Sequence, residues 1–332
     1  MLIQKQLILI SFLTNLKEQV VNFASATDVC QPINGTTLVY CPEIEEDIIK
    51  CQTKFGKTIL LSIGGSTYSE NGFSSMEAAN IAADKVWANF GPLTEDVSVT
   101  RPFGKAVVDG FDLDIETQVL NMVPFVRRLL DHLDISRKSD SRKFFLTAAP
   151  QCPFPDTNFG PLFDGSIYFD AIWVQFYNNY CGADKFIPGS ASQPFFNFAT
   201  WNDWAQRTFP NQDVNIMLGI SGGEKATRTG NISKENTTAL IEYSNEFPSF
   251  GGVMIWEMTA LFNNENFLET VSAVVKSNEK KINSDLATSL PASSQQNSSP
   301  EVTVSSDASA IHWFSSITWI LYISIFLALK IF

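Results

Sequence analysis

The stretch from Val107 to Glu116 reads VVDGFDLDIE and places four carboxylates, Asp109, Asp112, Asp114 and Glu116, within ten residues. In an extended strand, successive side chains point to opposite faces. Asp112, Asp114 and Glu116 therefore share one face, and apolar side chains occupy the other. Three carboxylates on one face of a buried strand repel one another and resist the loss of water. Because folding alone does not favour this arrangement, the stretch predicts acid–base chemistry, with one carboxyl group keeping its proton beside ionised neighbours.

Two other interpretations of the acidic strand are a solvated strand edge and a site for a hard cation bound through oxygen ligands. The apolar face formed by Phe111, Leu113 and Ile115 indicates that helices cover the strand, which disfavours an edge. The sequence has only two histidines, His132 and His312, so zinc or iron chemistry based on histidine lacks ligands near the strand. Acid–base chemistry without a metal or cofactor remains the leading interpretation.

The composition argues against a nucleic-acid-binding protein and favours a secreted one. The chain has 332 residues, 27 Phe and seven Trp, which is enough for a large hydrophobic core, and its net charge of −12 without a basic run makes nucleic acid an unsuitable partner. Five cysteines occur together with four N-glycosylation motifs, which favours the secretory route. An odd number of cysteines leaves one thiol without a partner. The motifs begin at Asn34, Asn231, Asn236 and Asn297.

Apolar strands alternate with helical segments along the chain, which predicts βαβ units and a parallel sheet. The predicted fold is a (β/α)₈ TIM barrel of the α/β class, in which only seven of the eight strands are evident. The first strand, Leu7–Leu13, is also compatible with the core of a signal peptide, since Ala24–Ala26 resembles a cleavage site. Polar residues follow several strands, which places the predicted site at the carboxyl rim of the barrel. The seven strands are 7–13, 58–63, 107–116, 144–149, 171–177, 215–220 and 252–256.

The composition divides the chain into three parts. Residues 1–276 form the predicted barrel, and residues 277–310 form a disordered linker rich in Ser, Asn and Pro. Residues 311–332 form an apolar tail, interpreted as the signal for a glycosylphosphatidylinositol (GPI) anchor or, as an alternative, a retained transmembrane helix. Both interpretations predict an extracellular protein at the cell surface or cell wall that contacts the membrane through its C-terminal tail.

The acidic stretch matches DxxDxDxE, the signature of glycoside hydrolase family 18, the chitinases. The segment Ser62–Gly65 resembles the SxGG strand of that family. Residues 146–153, 174–179 and 251–256 resemble the plant and fungal endochitinase branch (class III), in the same order along the chain. The resemblance covers residues 6–276.

This resemblance implies a TIM-barrel enzyme that hydrolyses β-1,4-linked N-acetylglucosamine polymers with retention, and hence chitin or chitooligosaccharides as partners. Glu116 would be the general acid, and the acetamido oxygen of the substrate would be the nucleophile, as in the substrate-assisted families. Asp114 would hold the acetamido N–H group. Asp112 would share a proton with Asp114, so that the two titrate as a pair.

The resemblance also implies the residues that line the sugar site. Tyr177 would bind the acetamido group from the side opposite Asp114, and Gln175 and Asn178 would line the subsite. Trp256 would form the floor on which the sugar stacks. The remaining residues assigned to the substrate by this resemblance are Asp109, Phe12, Gly64 and Gly65.

The sequence departs from the family because the first strand, which ends in a YWGQN-like motif, is absent. The family pattern pairs Cys30 with Cys41 and Cys152 with Cys181, and it leaves Cys51 unpaired because its partner would lie in the absent segment. Two explanations would account for the absent strand. The favoured one is an upstream segment missing from the sequence, and the other is a truncated paralogue. A truncated barrel would have unpaired strand edges. The functional alternatives are a non-catalytic chitin-binding protein of the cell surface and an inactive truncated paralogue. The protein is expected to be a monomer.

Overall fold

The computed structural model describes residues 6–139, 142–207, 209, 211 and 213–277, together with the backbone of residues 319–323. Strands and helices alternate along the chain, as the sequence predicts. The strands are β1 (Gln6–Asn15), β2 (Val20–Val21), β3 (Gln31–Pro32), β4 (Val39–Tyr40), β5 (Thr58–Gly64), β6 (Gly110–Asp114), β7 (Phe145–Ala148), β8 (Ala171–Gln175), β9 (Asn215–Ser221), β10 (Phe250–Trp256) and β11 (Trp319–Ile323). The helices are α1 (Pro42–Thr53), α2 (Met76–Phe90), α3 (Met122–Ser139), α4 (Phe198–Arg207), α5 (Lys234–Ser244) and α6 (Met258–Phe262), and a further helix runs over residues 267–277.

The central sheet is a closed barrel of parallel strands. Its order is β1, β5, β6, β7, β8, β9, β10 and β11, and β11 pairs back onto β1. Strand β2 extends the sheet beside β1 in antiparallel orientation, and β3 and β4 form a separate antiparallel pair. Parallel neighbours joined by helices bring the carboxyl ends of all barrel strands to one rim. This arrangement confirms the predicted α/β TIM barrel.

The eighth position in the barrel is occupied by Trp319–Ile323. This segment pairs with Gln6–Ile10 of β1, and its backbone also pairs with Met254 and Ile255 of β10. The expectation of unpaired edges at β1 and β10 is therefore not met, because a segment from the apolar tail lies between them. The predicted linker and the remainder of the tail lie outside the described residues, apart from position 277 in the last helix. None of the helices in the described ranges is long and apolar enough to cross a bilayer.

Two hydrophobic clusters lie on opposite sides of the barrel wall. The larger cluster packs between the sheet and the helices, and it includes Phe111, Leu113 and Ile115 from the acidic stretch. The smaller cluster fills the barrel interior, where Trp173 is one of its members. Asp112 also faces this interior, since it contacts the Trp173 ring nitrogen. The alternation of side chains predicted for the acidic strand is thus confirmed.

Capping side chains and disulfides fix the segments that connect the barrel strands. The Ser75 hydroxyl accepts a hydrogen bond from the Ala78 amide at 3.1 Å and begins α2, and Ser233 does the same for α5. The predicted disulfides Cys30–Cys41 and Cys152–Cys181 are both present. The second disulfide joins the loop after β7 to the loop after β8. Cys51 is a half-buried free thiol, and burial raises its pKa.

Candidate active site

Asp112 is the fully buried carboxylate at the centre of the site. Its register partners are Ser62 on β5 and Thr147 on β7, so the three side chains lie at one level inside the barrel. The carboxylate accepts hydrogen bonds from the Ser62 hydroxyl at 2.7 Å, the Thr147 hydroxyl at 2.6 Å and the Trp173 ring N–H at 2.7 Å. Hydrogen bonds from neutral donors favour the ionised form of a carboxylate. The three donors therefore hold the Asp112 carboxyl group in one orientation beneath Asp114.

Asp114 is the last residue of β6 and is also buried. Its carboxylate accepts a hydrogen bond from the Gln175 amide at 2.8 Å, and the same amide nitrogen donates to the Ala149 carbonyl at 2.8 Å. Burial raises the pKa of Asp114 well above its usual value, the nearby charges of Glu116 and Asp112 raise it further, and the Gln175 hydrogen bond acts in the opposite direction. Burial and the neighbouring acids therefore favour a protonated Asp114.

Gly64 and Gly65 let the end of β5 approach the Asp114 backbone and the Phe12 ring. A Cβ on Gly64 would lie 2.1 Å from the Asp114 carbonyl oxygen, and a Cβ on Gly65 would lie 2.8 Å from the Phe12 ring. Both glycines also have positive φ angles, +115° and +80°, which L-residues with a side chain rarely adopt. The close contacts and the positive φ angles together explain why residues 64 and 65, next to the predicted substrate, are glycines.

Glu116 lies two residues beyond the end of β6, at the carboxyl rim, and it is half-buried. Burial raises its pKa, and the negative charge of Asp156 raises it further. A carboxyl group with a raised pKa that is still open to solvent is suited to donating a proton near neutral pH. The position and electrostatics of Glu116 are those required of a general acid.

Tyr177, Trp256 and Phe12 form the aromatic part of the site. Tyr177 is buried in the interior cluster, against which Trp256 and Phe12 pack. Burial, followed by the charges of the three nearby carboxylates, raises the pKa of Tyr177 well above its usual value, so its hydroxyl remains a donor. The Phe12 and Trp256 rings lie 5.8 Å apart between centroids. Tyr177 follows the end of β8 and Trp256 ends β10, so both lie on the same rim of the barrel as Glu116.

Asn178 lies at the rim but is exposed, and its left-handed backbone (φ +58°) follows directly after Tyr177. Its side-chain oxygen accepts a hydrogen bond from the Arg228 amide at 2.8 Å. The backbone amide of Asn178 donates to the Thr229 carbonyl. Asn178 therefore joins the loop after β8 to the loop after β9, and its predicted contact with a sugar stays a prediction.

Asp109 was expected to contact the substrate, and this expectation is wrong. Asp109 precedes the first residue of β6, at the amino end of the barrel, whereas Glu116 lies beyond the carboxyl end. Its carboxylate accepts hydrogen bonds from the Gln52 amide and the Ile59 backbone amide, each at 2.8 Å, and it lies 3.6 Å from Arg142. Seven residues of extended chain span about 23 Å, so Asp109 stabilises the bottom of the barrel and lies far from the site.

Sequence reasoning missed Thr147 and Trp173 as members of the site, and it named Ser62 only as part of a motif. All three donate to Asp112. Side chains alternate between the two faces of a strand, so residues two positions apart share a face. Trp173 lies two positions before Gln175, and this spacing could have placed it on the same face of β8. Their register relative to Asp112 follows from the stagger of the barrel, which the sequence alone does not specify.

The site contains two carboxyl groups with raised pKa values, Asp114 and Glu116, a third carboxyl group that accepts three hydrogen bonds, Asp112, and aromatic side chains beside them. Among the residues that the structure describes, no group of three or more His, Cys, Asp or Glu side chains is arranged to hold a metal ion. The arrangement can protonate a leaving group through Glu116 and stabilise positive charge above Asp112 and Asp114. These capabilities match acid-catalysed cleavage of a glycosidic bond.

Comparison with known proteins gives the same indication from sequence. The family described as glycosyl hydrolases family 18 matches residues 7–246. A class III chitinase from Arthroderma benhamiae is 46% identical over 263 residues, covering 79% of this chain and 78% of that protein. Endochitinase 33 from Trichoderma harzianum is 44% identical over 259 residues, covering 78% of each chain.

Solved structures show the same fold. A chitinase from Ipomoea carnea superposes with a TM-score of 0.64 at 24% identity, covering 81% of this chain and 90% of that one. A xylanase and alpha-amylase inhibitor protein from Scadoxus multiflorus superposes with a TM-score of 0.60 at 26% identity, covering 81% and 98%. Proteins with different functions thus share this barrel, and function has to be argued from the site.

Proposed function

The chain belongs to glycosyl hydrolases family 18, and from this premise we propose that it is an endochitinase that hydrolyses β-1,4-linked N-acetylglucosamine polymers. The named relatives are chitinases and endochitinases. The observation that carries the proposal is the pairing of Glu116, a half-buried carboxyl group with a raised pKa, with the buried carboxylates Asp112 and Asp114 directly below it. A non-catalytic binding protein has no need of a proton donor held in this way.

In the proposed mechanism, Glu116 donates its proton to the oxygen of the scissile glycosidic bond. The acetamido oxygen of the same sugar attacks the anomeric carbon from the opposite face, so the bond to the leaving sugar breaks as a cyclic oxazolinium ion forms. Water then opens this ion while the Glu116 carboxylate takes up the water proton. Two inversions at the anomeric carbon give net retention, and no protein nucleophile is required.

The buried pair below Glu116 prepares the substrate for this attack. In this mechanism Asp114 orients the acetamido group, and Asp112, which lies beneath it, stabilises the positive charge that develops on the ring. The three donors to Asp112 support this role, because they hold its carboxyl group in place before the reaction begins and little reorganisation is needed during it. Tyr177, which keeps its proton because its pKa is raised, donates to the acetamido oxygen from the other side.

The test is hydrolysis of a fluorogenic chitooligosaccharide by wild type and by Glu116→Gln. Loss of the general acid is expected to lower kcat by a factor of about 10² or more, with the fold unchanged by circular dichroism. A matched control is Glu45→Gln, because Glu45 is also a half-buried glutamate, and it contacts the Tyr40 hydroxyl on the α1 side of the barrel. Equal rates for wild type and Glu116→Gln would show that Glu116 is not the acid, and folded wild type that is retained on chitin without turnover would favour a binding protein.

We also propose that the protein acts at the cell surface. Two disulfides support passage through an oxidising compartment. Asn34 and Asn236 are exposed, as N-glycosylation requires, and Asn231 is half-buried with its side chain accepting from the Thr227 hydroxyl; Asn297 lies outside the described residues. Glycosylation is therefore expected at Asn34 and Asn236 before Asn231.

The fate of the apolar tail is open to a direct experiment. Release of the protein from cells by a phosphatidylinositol-specific phospholipase, together with mass spectrometry that finds no peptide from 311–332, would establish a GPI anchor. A tail peptide that is present in the mature protein and protected from protease until the barrel unfolds would assign Trp319–Ile323 to the barrel instead. A tail that is present and extracted only by detergent would establish a membrane anchor.

A further inference from the structure

Gln151 is a polar residue at the carboxyl end of β7 that the mechanism above does not use. It is half-buried, and it forms a parallel bridge with Gln175 of β8. The Gln175 backbone amide donates to the Pro150 carbonyl at 2.9 Å, and the Cys152 amide donates to the Gln175 carbonyl at 3.2 Å. Because Pro150 and Cys152 flank Gln151, these two hydrogen bonds hold Gln151 directly beside Gln175.

The bridge places the Gln151 side chain on the face of the barrel wall that carries the catalytic groups. Paired residues on neighbouring strands point their side chains to the same face. The Gln175 side chain points into the site, because it donates to Asp114 at 2.8 Å. Neighbouring strands lie about 4.8 Å apart, so the Gln151 side chain stands at the rim next to the side chain that contacts Asp114.

The strand register also relates Gln151 to the general acid. Leu113 of β6 pairs with Ala148 of β7. Continuing both strands by three residues in this register brings Glu116 level with Gln151, one strand apart. In the proposed mechanism, Glu116 donates its proton to the oxygen between the two sugars, whereas the reacting sugar lies lower, above Asp114. A side chain at the level of Glu116 therefore faces the sugar that leaves.

The two ends of the Gln151 side-chain amide differ in their contacts. Its Oε1 accepts a hydrogen bond from the Asn179 side-chain nitrogen at 3.1 Å. The same nitrogen of Asn179 donates to the Tyr177 carbonyl at 3.4 Å, which can only accept, so the assignment of oxygen and nitrogen in both amides is fixed. Within the described part of the chain, the Gln151 Nε2 forms no hydrogen bond, and it is open to solvent.

The chemistry of this open end suits a sugar. The hydroxyl and acetamido carbonyl oxygens of N-acetylglucosamine accept hydrogen bonds, and an amide N–H supplies them without the cost of burying a charge. The hydrogen bond from Asn179 holds the Gln151 amide in one orientation before the substrate binds, which reduces the side-chain entropy lost on binding. The Nε2 group is therefore a preorganised donor beside the bond that breaks.

We propose that Gln151 is a specificity-determining residue of this hydrolytic site, and that its Nε2 donates a hydrogen bond to the sugar on the leaving side of the scissile bond. Asn179 is the positioning residue that orients the Gln151 amide. The inference rests on the proposed function, because it concerns the sugar that leaves once Glu116 has donated its proton.

The test compares two leaving groups in wild type and in Gln151→Met, which keeps the length of the side chain and removes its donors. An unlabelled chitotetraose loses a sugar, whereas an umbelliferyl chitobioside that releases umbelliferone loses an aromatic alcohol without an acetamido group. The ratio of kcat/KM for the first substrate to kcat/KM for the second is expected to fall by about 2- to 12-fold. Gln151→Ala, which also lacks a donor, is expected to lower the ratio in the same way.

Two control variants separate the donor from its surroundings. Asn179→Ala keeps the Gln151 donor and removes only its anchor, so the ratio should fall by less than in Gln151→Met. Gln52→Met removes an amide that donates to Asp109 at the amino end of the barrel, and the ratio should stay at the wild-type value.

The ratio does not depend on the amount of folded enzyme, so a poorly folding variant still gives an answer. An unchanged ratio in both Gln151 variants, or loss of activity on both substrates, would overturn the proposal. A fall in Asn179→Ala as large as that in Gln151→Met would also overturn it, because the link between the loops would then be the cause. If wild type hydrolyses chitotetraose and Glu116→Gln does not, each of these results refutes the role of Gln151 alone.

Discussion

Replacing Gln175 with Met tests whether orientation of Asp114 matters for hydrolysis. Among the described residues, Gln175 is the one donor to the Asp114 carboxylate, at 2.8 Å, and it is 6% exposed. Met has a similar length and no amide, so the change removes the hydrogen bond and leaves the packing nearly intact. A hydrogen bond between neutral groups contributes about 0.5–1.5 kcal/mol. If this energy is realised in the transition state, kcat falls by roughly 2- to 12-fold.

A closely matched control exists at the other end of the same strand. The Gln52 amide donates to Asp109 at 2.8 Å and to the Val107 carbonyl at 2.8 Å, just as Gln175 donates to Asp114 and the Ala149 carbonyl. Gln52→Met therefore removes the same pair of contacts, far from the rim. Both variants should lose thermal stability, with the smaller loss for the half-exposed Gln52, but only Gln175→Met should lose kcat.

The assay is steady-state hydrolysis of a fluorogenic chitooligosaccharide at the pH of maximal activity, with unfolding followed by calorimetry. A loss confined to KM would show that Gln175 binds the sugar uniformly and does not act through Asp114. Equal kcat values for Gln175→Met and Gln52→Met would refute the reasoning, because the hydrogen bond to Asp114 would then stabilise the fold and nothing more.

Three further predictions follow from the contacts of the site. Burial raises the pKa of Asp114 above its unfolded value of about 3.9, so the folded state loses stability as pH rises from that value towards the raised pKa. Asp114→Asn should therefore increase the melting temperature at pH 8 by about 2–4 °C per kcal/mol recovered. The increase at pH 4 should be smaller, and calorimetry at both pH values measures the difference. Gly65→Ala should raise KM several-fold at unchanged secondary structure, since its Cβ would meet the Phe12 ring at 2.8 Å, and an unchanged KM would show that this ring does not line the sugar site. Cys152→Ser combined with Cys181→Ser opens a loop with a sequence separation of 29 and should lower the free energy of unfolding by about 3.5 kcal/mol, measured by denaturant titration; a loss below about 1 kcal/mol would indicate that the loops are held by their other contacts.

The parts of the fold that could be predicted are those that depend on local pattern. Alternation along 107–116 separated the apolar face from the acidic one, and the structure places Phe111 and Leu113 in the outer cluster and Asp112 inside the barrel. Strand and helix order followed from the apolar runs along the chain. The predicted bounds were too wide at the acidic strand, where β6 covers Gly110–Asp114, because apolar flanking residues continue the pattern after the pairing has ended.

The parts that could not be predicted depend on contacts between distant positions. Thr147 and Trp173 donate to Asp112 across sequence separations of 35 and 61 residues, and no local pattern encodes the register of one strand against another. The pairing of Trp319–Ile323 between β10 and β1 was also not foreseen, because an apolar segment of that composition equally suits a membrane anchor.

The same contacts explain why four acids in one motif act differently. Asp109, at the amino end of β6, has two amide donors and a nearby arginine, and Asp112 has three neutral donors. Asp114 has one donor, and the described residues supply no donor to Glu116. Donors and cations favour the ionised form of a carboxylate, and they lie at the bottom and centre of the strand. The two carboxyl groups with raised pKa values, Asp114 and Glu116, lie at its carboxyl end. The even spacing of the motif puts three acids on one face, and burial, the neighbouring acids and the smaller number of donors together favour the protonated form of the two acids nearest the rim.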